Sequence, residues 1–198
     1  MSADIRLATL DDLSTIETTL GLAFEDDPVW RWLIGRRNRP VARMGAIMGA
    51  IARLRVEEST AWMTDDGAAV AVWAAPKRWR IEPLRFLRYG GRPLLAAGPQ
   101  VVARFLMLGE TERRHPTDEH WYLEVLGTRP DRQGEGLGSA LIRHRLGSEE
   151  AQGLPAYLES SKEANLAFYG RHGFEVSGPT IDIPRSGPPL WPMRREAS

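Results

Sequence analysis

Three glycines in five residues, Gly134, Gly136 and Gly138, separate two runs of opposite periodicity. Before them stands "HWYLEVLGT" (His120–Thr128), which alternates as a strand does; after them "GSALIRHRLG" (from Gly138) has helical spacing. Glycine loses more backbone entropy on folding than any other residue. One glycine is enough for a turn, so three imply that something approaches this backbone closely. A glycine-lined passage from a strand into a helix leaves consecutive N–H groups free, and the helix N-terminus adds a partial positive charge. The passage is therefore expected to cradle an anion.

The rest of the chain fits one mixed α/β domain. "DIRLAT" (Asp4–Thr9) reads as a strand, followed by a helix carrying Leu13, Ile16, Leu20 and Phe24 at helical spacing, and Pro28 opens another. Ala42 to Leu54 continue as helix. Asp65-Asp66-Gly67 between "TAWMT" and "AAVAVWAAP" signals a hairpin. Lys77 to Pro116 reads as one or two helices broken at Gly90-Gly91 and Pro99, with the basic cluster Lys77–Arg88 as a solvated face. The helix after the glycines is expected to end near Gly153. "PAYLESS" (Pro155–Ser161) is a strand, "KEANLAFYGRHGF" (Lys162–Phe174) a short helix, and the tail two short strands with Pro192 at an edge position.

Composition narrows the partners. Lys+Arg and Asp+Glu are both 26, so nothing drives the chain as a whole toward nucleic acid or an anionic membrane. No cysteine removes disulfides and thiolate chemistry, and four histidines with no cysteine give no metal constellation. His120 and His172 are read as not being ligands. The start "MSADIRLATLDDL" lacks a signal-peptide pattern, and a cytoplasmic location is expected.

Three kinds of phosphate loop compete for "RQGEGLGSAL" (Arg132–Leu141). A Walker loop needs a lysine before Ser139, and Gly138 stands there. A dinucleotide fingerprint lacks its third glycine, although Glu159 near the end of the next strand stands where a ribose-binding acid would. The pattern Q/R-x-x-G-x-G/A is met by Gln133, Gly136 and Gly138. With it goes "YLESSKEANLAFYGRHGFEVSG", which carries F-Y-x-x-x-G-F at Phe168, Tyr169, Gly173 and Phe174. On these two motifs the chain resembles the GNAT superfamily of acyl-CoA-dependent N-acyltransferases. "AFEDDPVWRWL", "DDGAAVAVWAAP" and "PPLWPMRR" resemble the subgroup that includes puromycin N-acetyltransferase.

The resemblance implies an α/β (α+β) fold over residues 1–198 as a single domain. Its mixed, mostly antiparallel sheet of about seven strands would be flanked by helices and splayed between strands 4 and 5. It implies acetyl-CoA as co-substrate and no metal. The pyrophosphate would lie on Gln133, Gly134, Glu135, Gly136, Leu137, Gly138 and Ser139. The pantetheine arm would run along Leu126, Gly127 and Thr128 and beside Asn165; Lys162 replaces a second asparagine common in the family. Tyr169 matches the tyrosine that protonates the coenzyme sulfur. Glu124 is the candidate base, since a carboxylate in so apolar a strand has its pKa raised by desolvation unless it is paired. On "WYLEVLG", Tyr122, Glu124 and Leu126 are expected on one face and Trp121, Leu123 and Val125 on the other. Asp26, Asp27 and Trp30 match the acceptor side, where carboxylates beside an aromatic suit a cationic amine; an N-cap acid pair ahead of an amphipathic helix is the structural alternative. Arg129 and Arg132 flank the loop. The acceptor is expected to be a small-molecule amine, with a protein N-acetyltransferase and a non-catalytic coenzyme A or nucleotide-binding module as alternatives. Oligomeric state is open, a homodimer included.

Overall fold

The computed structural model describes residues 4–35, 40–109, 111–151 and 153–197. In chain order it runs β1 (Ile5–Leu7), α1 (Leu13–Ala23), α2 (Pro28–Ile34), α3 (Pro40–Glu57), β2 (Ala61–Thr64), β3 (Ala69–Ala74), α4 (Pro83–Ala97) and α5 (Pro99–Leu108). Then follow β4 (Trp121–Thr128), α6 (Leu137–Leu146), β5 (Ala156–Ser160), α7 (Leu166–Gly170), β6 (Glu175–Val176), β7 (Ile181–Asp182) and β8 (Pro189–Arg195). The start of the leader reading (residues 1–3) and Gln152, near the end expected for the helix after the glycines, lie outside the described residues.

Among the described residues the strands form one eight-stranded sheet in the order β1-β2-β3-β4-β5-β8-β6, with β7 also on β8. Every pairing is antiparallel except β4 with β5. Those two strands pair only at Trp121–Ala156 and Tyr122–Tyr157. Beyond that rung β4 continues to Thr128 without β5 beside it, which is the splay expected between strands 4 and 5.

The sheet is covered on both sides. Ile16 and Leu20 of α1 and Met44 and Met48 of α3 pack on Val70, Val72 and Val125. Leu137, Leu141 and Ile142 of α6 pack on Ala71, Trp73, Trp121 and Leu123 of the other face. There the buried Arg145 guanidinium lies 3.4 Å from the Trp121 ring centroid, a cation–π contact that lets a charge enter the core. α1 and α3 touch backbone to backbone: a Cβ on Gly45 would lie 2.3 Å from the Glu17 carbonyl oxygen. That tight pair holds α1 against β4, where a Cβ on Gly127 would lie 2.8 Å from Leu20.

Five local expectations are corrected. Gly90-Gly91 does not break the helix; α4 runs through both, and a Cβ at Gly90 would collide with the Phe86 ring, which stacks on Phe105 of α5. The break falls at Gly98, whose φ is +100°, just before Pro99. α6 ends at Leu146, with Gly147 as its C-cap, well short of Gly153. α7 has five residues behind a 3-10 turn, Glu163–Asn165. Pro192 is on an inner strand, opposite Glu159; its carbonyl accepts from Ser177 just where the short β6 ladder ends, so its missing N–H breaks no rung.

The fifth concerns β4. The register against β3 passes from Val72–Val125 to Trp73–Leu123, leaving Glu124 as an extra residue in a β-bulge. The bulge turns the alternation over. Leu123 and Leu126 both pack with the α6 side, while Val125 packs with the α1–α3 side. Leu126 therefore does not share a face with Glu124, because one inserted residue flips every side chain beyond it.

Candidate active site

A cleft of about 460 Å³ opens where β4 and β5 part. One end is made by the glycine loop. Pro130–Arg132 forms a 3-10 turn, Gln133 leaves it extended, and α6 begins after Gly136. Gly134 and Gly136 have φ of +84° and +80°, a conformation costly for any residue with a Cβ. A Cβ at either would meet nothing within 4 Å, so their requirement is conformational and the space above them is free. Gly138 differs: its φ is helical, and a Cβ would sit 3.5 Å from Phe168 and 3.6 Å from Thr128. Among the described residues no side chain caps α6, so its first-turn N–H groups have no N-cap side-chain acceptor. The loop arginines are tied to acids: Arg132 to Glu135 and Asp66, each at 2.8 Å, and Arg129 to Asp131 at 2.6 Å.

Side chains make the other end. The bulge aims Glu124 toward α3, where Arg55 donates from Nε and Nη2 to its two carboxylate oxygens, both at 2.7 Å. Arg55, 2% exposed, also donates to Glu58 and to the carbonyls of Arg78 and Trp79. Desolvation pushes the Glu124 pKa up, and Arg55 draws it back. Across the opening, Glu159 accepts from the Tyr122 hydroxyl at 2.6 Å, and its other oxygen lies 3.4 Å from His115 Nδ1. His115 Nε2 lies 2.9 Å from His120 Nε2, and His120 Nδ1 is 2.8 Å from the Asp118 carbonyl. Trp79 stacks on His115 with ring centroids 3.8 Å apart.

A third group closes the cleft from α2 and α7. Asp27 is the N-cap of α2, accepting from the backbone of Val29 and Trp30 at 2.9 and 3.0 Å, and it also accepts a short bond from the Ser161 hydroxyl. Burial pushes its pKa up. Lys162 reaches Asp26 at 2.6 Å. Tyr169 lines the cleft beside Asn165 and Phe168, and burial, then the Asp27 charge, push its pKa well up, so it keeps its proton.

Residues 98–176 match the family model of the acetyltransferase (GNAT) domain. Over that stretch the chain is similar to GNAT acetyltransferase domains. A mycothiol acetyltransferase of Streptomyces coelicolor is 49% identical over 53 residues, 25% of this chain and 17% of that protein. The chain thus spans well under two thirds of that relative. An uncharacterized N-acetyltransferase of Schizosaccharomyces pombe is 27% identical over 174 residues, 82% of this chain and 70% of that one. Among solved structures, a histone acetyltransferase HPA2 and related acetyltransferase from Corynebacterium glutamicum superposes with a TM-score of 0.68 at 26% identity. It covers 100% of this chain and 98% of the other.

Within the cleft the expected residues gather unevenly. Leu126, Gly127, Thr128, Gln133, Gly134, Gly136, Leu137, Gly138, Ser139 and Asn165 all line it, as do Tyr169, Glu124, Asp26 and Asp27. Glu135 turns to Arg132 and Trp30 packs edge-on against Phe24; neither lines the cleft. Ser139 bonds His172 at 2.9 Å. Arg55 and His115 escaped the sequence reading, and Glu159, weighed there only as a ribose-binding acid, was not joined to Tyr122. A carboxylate in an apolar strand announces a need for a cation, but nothing local singles out Arg55 among 26 lysines and arginines.

Proposed function

We propose that the chain transfers an acetyl group from acetyl-CoA to the primary amine of a small molecule, by direct attack in a ternary complex. The observation that carries this is the polarity of one cleft. Backbone amides at a left-handed glycine turn stand at one end, three carboxylates (Glu124, Glu159 and Asp27) at the other, and the parted strands between. The donor set suits a diphosphate with a long apolar-polar arm: bare N–H groups at the α6 N-terminus for the phosphates, and the unpaired stretch of β4 for the arm. Residues Gln133–Gly134 and Gly136–Ser139 hold the first in this reading, Leu126–Thr128 and Asn165 the second.

The chemistry makes three demands. The amine must lose a proton, because an ammonium with a pKa near about 10.4 has no lone pair; the cleft carboxylates supply acceptors for it. The departing thiolate, of pKa about 8.5, takes a proton from Tyr169, which holds one across the working range. The oxyanion needs a donor, and a β4 backbone N–H freed by the splay serves. A protein amine is the second reading, favoured by the Corynebacterium neighbour's description as a histone acetyltransferase.

The test is free-thiol release from acetyl-CoA across an amine library that includes aminonucleosides, aminoglycosides and lysine-bearing peptides. Turnover of small amines supports the first reading, and turnover of peptides alone replaces it with the second. Coenzyme binding without thiol release for any amine would leave a non-catalytic module.

A further inference from the structure

Glu124 and Glu159 stand on matched positions of the parted strands, each two residues beyond the last β4–β5 rung, Tyr122–Tyr157. Their surroundings differ in kind. Protonating Glu124 would take a bidentate anion from the buried Arg55, leaving Glu58 as the one anion beside it with the Arg78 and Trp79 carbonyls, and breaking a buried pair is costly. Glu159 is held by the uncharged Tyr122 hydroxyl and faces an imidazole. The groups around it are Tyr122 and Glu124 from β4, Tyr157 from its own strand, and His115 and His120 from the segment before β4; its β8 partner, Pro192, carries no charge.

Hydrogen-bond direction sets the state of that imidazole. The Asp118 carbonyl can only accept, so His120 Nδ1 bears a hydrogen. Desolvation holds the His120 pKa down, so the ring is neutral and its Nε2 accepts from His115 Nε2–H. His115 Nδ1 then faces Glu159, 3.4 Å away. A proton arriving at the carboxylate has a place to go.

We propose that Glu159, backed by His115, is the base that takes the proton from the acceptor ammonium, while Glu124 is the fixed anion that draws the ammonium in. The inference rests on the acetyl-transfer reading above. One proton passes from R–NH3+ to a Glu159 oxygen. The freed lone pair forms the C–N bond at the thioester carbonyl, and the C–S bond breaks on collapse. Tyr169 protonates the sulfur and is refilled by the second nitrogen-borne proton. The products are amide, thiol and one proton, the one held between Glu159 and His115 and then released to solvent. Glu159 is the catalytic residue of this account and His115 a positioning residue.

The pH dependence of kcat with the best amine from the library separates the two carboxylates. Glu159→Gln is expected to lower kcat about 100-fold near neutral pH, with the acetyl-CoA KM unchanged. Its rate should then climb about tenfold per pH unit toward the amine's own pKa near 10, because solvent must deprotonate the amine. Glu124→Gln should raise the acceptor KM and keep the wild-type profile; His115→Gln should displace the acid limb at unchanged KM. If Glu159→Gln melts below assay temperature, Tyr122→Phe carries the test, moving the acid limb to higher pH. A wild-type profile in Glu159→Gln, an unmoved limb in Tyr122→Phe or His115→Gln, or the base-less profile in Glu124→Gln overturns the inference while acetyl transfer stands. Wild-type protein that binds acetyl-CoA yet releases no thiol with any amine overturns both.

Discussion

At the glycine-loop end of the cleft the contacts are offered by backbone. Gly134, Gly136 and the first turn of α6 present N–H groups within a few residues of one another, and the flanking arginines are already tied to Asp66, Glu135 and Asp131. At the carboxylate end the contacts are side chains drawn from far apart. Glu124 meets Arg55 across 69 positions, and Ser161 meets Asp27 across 134. Local chain geometry makes a site of backbone donors, suited to a common group such as a diphosphate. Long-range packing makes a site whose charges are fixed by what surrounds them.

Five variants break or sharpen this contrast. Arg55→Met has the largest expected effect, a loss of about 3–5 kcal/mol, because Glu124 would be left buried and unpaired. Denaturant unfolding measures it, and adding Glu124→Gln should recover part of the loss. A cost under about 1 kcal/mol would mean that the pair is not the buried charge described here.

Tyr169→Phe comes next, with kcat down about 100-fold, close to 2.7 kcal/mol of barrier, and acetyl-CoA affinity unchanged by titration. Unchanged turnover would remove Tyr169 from the proton path.

Gly136→Ala should cost about 1–2 kcal/mol through its φ of +80° and should weaken coenzyme binding. Gly138→Ala should be neutral or stabilising by up to about 1 kcal/mol without ligand, since its φ is helical and its neighbours lie at ordinary contact distance. Equal melting temperatures for the two variants would contradict the distinction drawn between those glycines.

Lys162→Met is the smallest, within about 1 kcal/mol, because the Asp26 side chain it pairs with is 74% exposed. Its melting temperature should barely move.

How much of this was legible depended on range. β4, the loop and the start of α6 are contiguous, and each sets its conformation from residues within a turn of itself. The hairpin at Gly67 was legible for the same reason: its φ is +69°, and the runs beside it pair directly. The bulge at Glu124 left no trace, because the apolar alternation reads correctly on each side of it and only the partner strand reveals the extra residue. Gly90-Gly91 misled because small size served packing there rather than backbone freedom; the space they leave is filled by Phe86 at Gly90 and by Leu87 at Gly91. Pro192 misled because a missing N–H is harmless wherever a ladder ends, at an edge or not.

The sequence by itself determined where the glycine loop lies, that a tyrosine and an asparagine follow it on a short helical segment, and that strands and helices alternate within a mixed α/β chain. Those features are short-range, written in glycine placement and apolar period. Only the tertiary structure decided which carboxylate is neutralised by Arg55, which one faces a histidine, and that Asp27 caps a helix while lining the cleft. A buried charge takes its state from neighbours that the fold brings together, and 69 positions of intervening chain carry no record of them.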